Sequence, residues 1–326
     1  MAKLEKFYVK DEPTTSDEYG CYPTNRPTEE YIKKGFVCID KPMGPSSHEI
    51  VVWVRRILEV QKTGHAGTLD PRVTGVLPIF IESATKLVKF LQESEKEYVC
   101  LMRLHGNVRL EDLERTMKKF VGKIYQRPPL KSAVKKKLRI REIYNIEILE
   151  VDGRDVLFKV STESGTYIRK LCRDIGEILG VGAHMQELRR TRTGKFSENM
   201  CYTLQDLLDA YIFWKEDGDD EPLREIIKPM EMAVSDLPKI VIKDTAVDAI
   251  CHGANLSVRG IAYIETGIKP GQTVAIFTLK NELVALGKSL MSSEDMYKAN
   301  KGFAVDVDRV LMERHVYPSA WKRISR

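Results

Sequence analysis

Between Gly64 and Pro78 the chain reads Gly64-His65-Ala66-Gly67-Thr68-Leu69-Asp70-Pro71-Arg72-Val73-Thr74-Gly75-Val76-Leu77-Pro78. Three glycines and two prolines in these fifteen residues specify backbone shape. Glycine permits positive φ and close approach of a neighbouring segment, whereas proline fixes φ and removes a donor. Such a loop can aim one carboxylate, and Asp70 is the residue it carries. From these residues alone the simpler account is that Asp70 caps a turn, as aspartate often does.

Further blocks follow the same chain order. Upstream lies Gly35-Phe36-Val37-Cys38-Ile39-Asp40-Lys41-Pro42-Met43-Gly44-Pro45-Ser46-Ser47. Downstream come Lys96-Glu97-Tyr98, Gln126-Arg127-Pro128-Pro129-Leu130-Lys131-Ser132-Ala133-Val134-Lys135, Gly165-Thr166-Tyr167-Ile168-Arg169, and Gly182-Ala183-His184-Met185-Gln186-Glu187-Leu188-Arg189-Arg190. With the Asp70 loop, these blocks resemble the TruB-type pseudouridine synthases. Their wording is most similar to the dyskerin branch, the catalytic subunits of H/ACA guide-RNA particles, in its archaeal form.

The resemblance implies an α+β catalytic domain built on a mixed sheet, followed by a small β-barrel of the PUA type. It implies Asp70 as catalytic nucleophile, Arg169 as its paired arginine, and Tyr98 as the ring that stacks on the extruded uracil and is a candidate to remove the C5 proton. Tyr167 and Leu188 match residues lining the uracil pocket, His65 matches a histidine touching RNA around the flipped base, and Lys41 and Pro42 match support for the loop. Without these motifs Tyr98 reads as an ordinary strand residue, Arg169 as a helix-surface ion pair and His65 as a turn histidine. Converting uridine to pseudouridine breaks C1′–N1 and joins C1′ to C5, with no redox change, so no cofactor is expected. A carboxylate enclosed beside RNA would tend to gain a proton, and an arginine at contact distance opposes this by about 1 to 3 pKa units. Asp70 is therefore expected to be dry, paired and ionised.

Composition sets compatible bounds. The chain has 326 residues, 43% hydrophobic and 30% charged, enough for about two soluble domains. No apolar run approaches the ~20 residues that span a bilayer, and the first residues lack a signal-peptide core, which points to a cytosolic protein, or a nucleolar one in a eukaryote. Cys21, Cys38, Cys100, Cys172, Cys201 and Cys251 are scattered without a C-x-x-C pair, so reduced thiols and no structural metal are expected.

Net charge is only +5, but it is unevenly placed. From Arg115 to Arg141 no acidic residue interrupts Arg115, Lys118, Lys119, Lys123, Arg127, Lys131, Lys135, Lys136, Lys137, Arg139 and Arg141. Arg189, Arg190, Arg192 and Lys195 form a second patch. Uncompensated like charges repel unless something anionic lies against them, and an RNA backbone is the natural counterpart. Lys131, Lys135, Lys136, Lys137, Arg139, Arg189 and Arg190 are expected to position RNA, joined by Gly253 and Ala254 in the PUA-like part.

Periodicity supplies the coarse layout. Residues 1–35 read as an extended arm, 36–235 as the catalytic domain, 236–312 as the PUA-like domain and 313–326 as a tail. A strand is predicted over Phe36 to Asp40, then a helix opened by a Ser46/Glu49 capping box with Ile50, Val51, Val54, Ile57 and Leu58 on its apolar face. Tyr98, Cys100, Met102 and Leu104 alternate as in a strand. A helix with Leu113, Met117, Phe120 and Val121 is expected to stop at Gly122, and Asp152-Gly153 marks a hairpin. Gly165 precedes a helix whose stripe is Ile168, Leu171, Cys172, Ile175, Ile178 and Leu179. Short strands are predicted over 240–242, 273–279 and 283–290.

Bacterial members carry an insertion after Ser-Ala-x-Lys that grips the tRNA T-loop, whereas here Ser132-Ala133-Val134-Lys135 runs almost directly into the next strand. The resemblance therefore implies that an H/ACA guide RNA presents a uridine of substrate rRNA, with tRNA as a further substrate class. It also implies three protein partners: a small zinc-ribbon or nucleolar peptide-like subunit, a glycine- and arginine-rich-family β-barrel, and a kink-turn-binding ribosomal-type protein. A stand-alone tRNA synthase and a noncatalytic RNA scaffold of the same fold are the alternatives.

Overall fold

A computed structural model describes residues 6–127 and 137–319, and their contacts form two compact units. One gathers 37–80 and 87–226; the other gathers 6–36, 81–86 and 227–319.

The first unit is built on a mixed sheet. Its strands run in the order Cys201–Tyr202, Gly35–Lys41, Thr74–Ile81, Ala183–Thr193, Lys96–Leu104, Asp155–Thr162, Arg139–Asp152, Gly122–Gln126. Alternation decides which face is buried: Cys100, Met102 and Leu104 point inward beside Val156, Phe158 and Val160. Onto them pack Leu113 and Met117 of the helix Leu110–Lys118, and Ile168, Leu171, Cys172 and Ile175 of the helix Ile168–Ile178. The capping box opens the helix Ser47–Ile57, with Ser46 and Glu49 each bonding the other's backbone N–H. Asp152 pairs with Asp155 across a two-residue hairpin, Gly153 taking φ +57°.

Two helix details differ from expectation. The helix Leu110–Lys118 ends before Gly122, because Phe120 N–H and Val121 N–H already bond back to Met117 and Lys118 in short-range turns. Gly122, at φ +105°, instead opens a strand, and Val121 is left exposed. Ile178 is 58% exposed, since the helix ends there and its apolar stripe has nothing further to cover.

The second unit carries seven strands in the order Phe7–Val9, Ile261–Glu265, Lys239–Ile242, Thr273–Phe277, Leu283–Ser289, Phe303–Val310, Leu256–Ser257, curled as a half-barrel. Ile240, Ile264, Val274, Ile276, Val284 and Val305 fill its concave side. The arm is integral to this unit: Phe7 pairs with Glu265, and Lys10 Nζ donates to the carbonyls of Met296 and Ala299, each at 2.7 Å. A buried pair, Arg26 with Glu231, fixes the end of the arm, and Glu231 also accepts from Leu283 N–H at 3.1 Å.

Candidate active site

The Asp70 loop joins the strand Thr63–His65 to the strand Thr74–Ile81 and is held by buried polar groups. Lys41 is fully buried, and its Nζ donates to the carbonyls of Pro42 (2.9 Å), Pro71 (3.2 Å) and Val73 (2.8 Å). Ser47 Oγ both accepts from Leu69 N–H at 2.8 Å and lies 3.0 Å from the Leu69 carbonyl. Arg190 reaches the loop from the Ala183–Thr193 strand, its Nε donating to the Val76 carbonyl (2.8 Å) and its Nη2 to the Gly67 carbonyl (3.2 Å). Gly75 makes this approach possible: at φ +104° its missing Cβ would sit 2.2 Å from the Arg190 carbonyl oxygen. Asp70 closes the turn by accepting Val73 N–H on its carbonyl at 3.0 Å.

So positioned, the Asp70 carboxylate meets the Arg169 guanidinium. Arg169 stands in the first turn of the helix Ile168–Ile178, two residues after Tyr167 at its N-cap. Gln126 clamps that cap, donating to the Tyr167 carbonyl (3.1 Å) and accepting its N–H (2.9 Å). Tyr98 lies opposite Arg190 across paired strands, and Cys100 opposite Leu188, so the tyrosine and leucine line the same stretch of sheet. Burial raises the Tyr98 phenol pKa; the Arg190 charge opposes this and the Asp70 charge adds to it. His65 is driven toward its neutral form by burial and then by Arg190 and His48. Among the described residues, its buried Nδ1 has no hydrogen-bond partner.

The expected residues thus fall into three groups. Asp70, Arg169, Tyr98, Tyr167, Leu188 and His65 all belong to elements converging on one loop. Asp70 is not dry as expected: its side chain is 57% exposed and that of Arg169 53%. The loop is anchored through its backbone and through Leu69, which leaves the carboxylate at the mouth. Arg190, expected on an RNA-facing patch, is 1% exposed and spends its donors on backbone carbonyls, so it frames the loop. Arg189 is likewise committed, bonding both Asp40 oxygens (2.9 and 3.0 Å) and Glu198 (2.5 Å). Lys137 is exposed and Arg139 half-buried, whereas Lys131, Lys135 and Lys136 lie outside the described residues. Gly253 and Ala254 are exposed just past the helix Asp244–Cys251 of the other unit.

Comparison with known proteins places the chain in a family. Residues 55–168 match the TruB family pseudouridylate synthase N-terminal domain, and residues 169–235 match the tRNA pseudouridylate synthase B C-terminal domain. Together they cover more than half of the chain. This protein belongs to the TruB family of pseudouridine synthases. It is an isomerase, with a DKCLD domain matched at residues 1–51 and a PUA domain at 238–311. A probable tRNA pseudouridine synthase B of Archaeoglobus fulgidus is 76% identical over 99% of both chains. Its counterpart from Methanocaldococcus jannaschii is 58% identical over 98% of this chain and 95% of that one. Among solved structures, the corresponding chain of a Cbf5-Nop10-Gar1 complex aligns with TM-score 0.87 at 55% identity over 96% of both chains. That of an H/ACA RNP bound to a substrate RNA containing 2′-deoxyuridine aligns with TM-score 0.88 at 52% identity over 97% of both.

For a pseudouridine synthase of this family, the framing residues were the least visible in the sequence. Arg190 follows Leu188 at same-face spacing in a strand, which is the one sequence signal that it turns inward. Ser47 and Gln126 act on backbone atoms far away in sequence, and nothing local marks them.

Proposed function

We propose that this pseudouridine synthase isomerises a uridine presented by an H/ACA guide RNA in substrate rRNA, with Asp70 as nucleophile. The observation carrying the proposal is the Asp70–Arg169 ion pair at the mouth of a backbone-anchored loop beside Tyr98. The carboxylate attacks the sugar or base as C1′–N1 breaks; the uracil turns, C5 bonds to C1′, the bond to the carboxylate breaks to release Asp70, and the C5 proton leaves while N1 gains one. Arg169 holds the carboxylate in line through a planar two-pronged group. Tyr98 acts as a stacking platform for the extruded base, at an unstacking cost of roughly a few kcal/mol. Its raised pKa keeps the phenol protonated in the free chain, which favours stacking over a resting role as base for the C5 proton. Tyr167, Leu188 and His65 complete the uracil pocket.

The open carboxylate fits a guided enzyme: the RNA duplex and flipped base supply the enclosure that the chain alone lacks. Exposed Lys118, Lys119, Lys123, Arg127 and Lys137 offer phosphate contacts, to which Lys131, Lys135 and Lys136 are added from the sequence alone. Gly253 and Ala254 offer an exposed backbone for RNA on the PUA domain. Near-complete alignment with the chain of the Cbf5-Nop10-Gar1 complex supports Nop10-like and Gar1-like proteins as partners; their zinc-ribbon and β-barrel character rests on family resemblance. The kink-turn-binding partner rests on family resemblance. A second reading, a guide-independent tRNA synthase, is favoured by the name of the Archaeoglobus relative.

The test is pseudouridine formation on two substrates, a guide-paired rRNA oligonucleotide in the reconstituted particle and a T-loop stem without guide. Activity on the first that vanishes in Asp70→Asn supports the proposal. Undiminished activity of Asp70→Asn would remove the nucleophile, and efficient action on the T-loop without guide or partners would favour the second reading.

A further inference from the structure

In the PUA-bearing unit, three metal-ligating side chains from two chain segments converge at a point unused by the chemistry above. Asp248 lies in the helix Asp244–Cys251, His252 follows one turn later at its C-cap, and His315 arrives from the C-terminal segment. One ligand atom from each lies within 4.8 Å of the others. Asp248 is 5% exposed. Its Oδ1 lies 3.5 Å from His252 Nδ1 and 3.8 Å from His315 Nδ1, and accepts His315 N–H at 3.3 Å. Among the described residues, no lysine or arginine pairs with this carboxylate. Burying an ionised carboxylate is costly unless a cation compensates it. The two histidine rings stand 5.2 Å apart on the open side of this carboxylate. His315 is also held at φ +65°, a conformation few non-glycine residues adopt, and this brings its ring over the helix end.

We propose that Asp248, His252 and His315 form a binding site for a divalent transition-metal ion of the zinc class. Zinc bonds to nitrogen and oxygen at about 2.0–2.2 Å, so tetrahedral ligands stand roughly 3.4 Å apart. The carboxylate-to-imidazole separations here are close to that value. His252 Nδ1 now lies 2.8 Å from the Asp248 carbonyl oxygen. On ligation the ring proton moves to Nε2, and that carbonyl keeps its bond from His252 N–H at 3.1 Å. The exposed side of the cluster, where the His315 side chain is 78% exposed, leaves the fourth position to water. The ion ties the segment around His315 to the end of the helix, directly before Gly253 and Ala254. This inference stands apart from the proposed catalytic residues.

The test uses the full chain stripped with chelator and titrated with ZnCl2, followed by calorimetry and thermal unfolding. The expected result is one saturable site per chain and a raised unfolding midpoint, both lost in His315→Ala and in His252→Ala. Cobalt(II) in place of zinc should show tetrahedral d–d bands without thiolate charge transfer. Absence of saturable binding, binding unchanged in both variants, or a cobalt spectrum dominated by sulfur ligands would each overturn the proposal.

Discussion

Lys41→Met tests how far catalysis depends on backbone anchoring. The ammonium group is fully buried and serves three carbonyls, two of them, Pro71 and Val73, flanking the turn after Asp70. Methionine keeps most of the volume and removes every donor. Each buried acceptor left unmade costs about 1–3 kcal/mol, a gross loss of roughly 3–9 kcal/mol for three. Against this, the buried charge is itself unfavourable: burial lowers the Lys41 pKa, with the Asp70 charge acting the other way. Removing it returns several kcal/mol, so the net loss of stability is about 1–4 kcal/mol. Ser47 and Arg190 still hold Leu69 and Gly67, so the domain should fold while the Asp70 turn shifts. A displacement of about 1 Å costs on the order of 100-fold in rate. Urea unfolding would measure the first effect and single-turnover pseudouridine formation in the reconstituted particle the second. Parental turnover in a variant that has lost the expected stability would refute the claim that Lys41 sets the position of Asp70.

Other variants probe neighbouring features. Gly75→Ala forces a Cβ to within 2.2 Å of the Arg190 carbonyl at φ +104°, and should cost upwards of about 3 kcal/mol; a thermal midpoint equal to the parent's would show that the strands can part cheaply. Lys96 has its pKa lowered to about 8, by burial first and by Arg190 second. The unfolded chain binds this proton more tightly, so the cost of burying the charge is fully present below pH 8 and is relieved as pH rises toward 10.5. Parent stability relative to Lys96→Met should therefore climb by up to about 3 kcal/mol across that window, and a flat difference in urea midpoints would contradict the shift. Glu231→Ala strands buried Arg26 opposite a lost carboxylate and should cost about 3–5 kcal/mol, whereas Arg26→Met with Glu231→Leu should cost less; equal losses would mean that packing, not charge, dominates there. Arg169→Lys keeps the charge but loses the planar fork, so turnover should fall at every pH tested, and parental activity throughout would dismiss the pairing role.

Local chemistry was enough to write much of the architecture. The Ser46/Glu49 box, the Asp152-Gly153 turn and the alternation through Cys100, Met102 and Leu104 depend on contacts within a few residues, so the sequence carries them directly. The glycines and prolines around Asp70 spell a fixed loop, while its pairing with Arg169 was implied only by family resemblance; the two side chains do meet. Tertiary structure alone decided what surrounds them. Arg190 looks like one more cation in a basic run until the parallel pairing of Gly75 with Arg190 buries it against the loop. Arg189 looks free for phosphate until Asp40 and Glu198 arrive from distant segments. Whether a charge faces solvent depends on which remote strand lies beside it. That is set by burial of the whole sheet, and for this reason the exposure of Asp70, the lowered pKa of His65 and the Asp248 cluster were not legible along the chain.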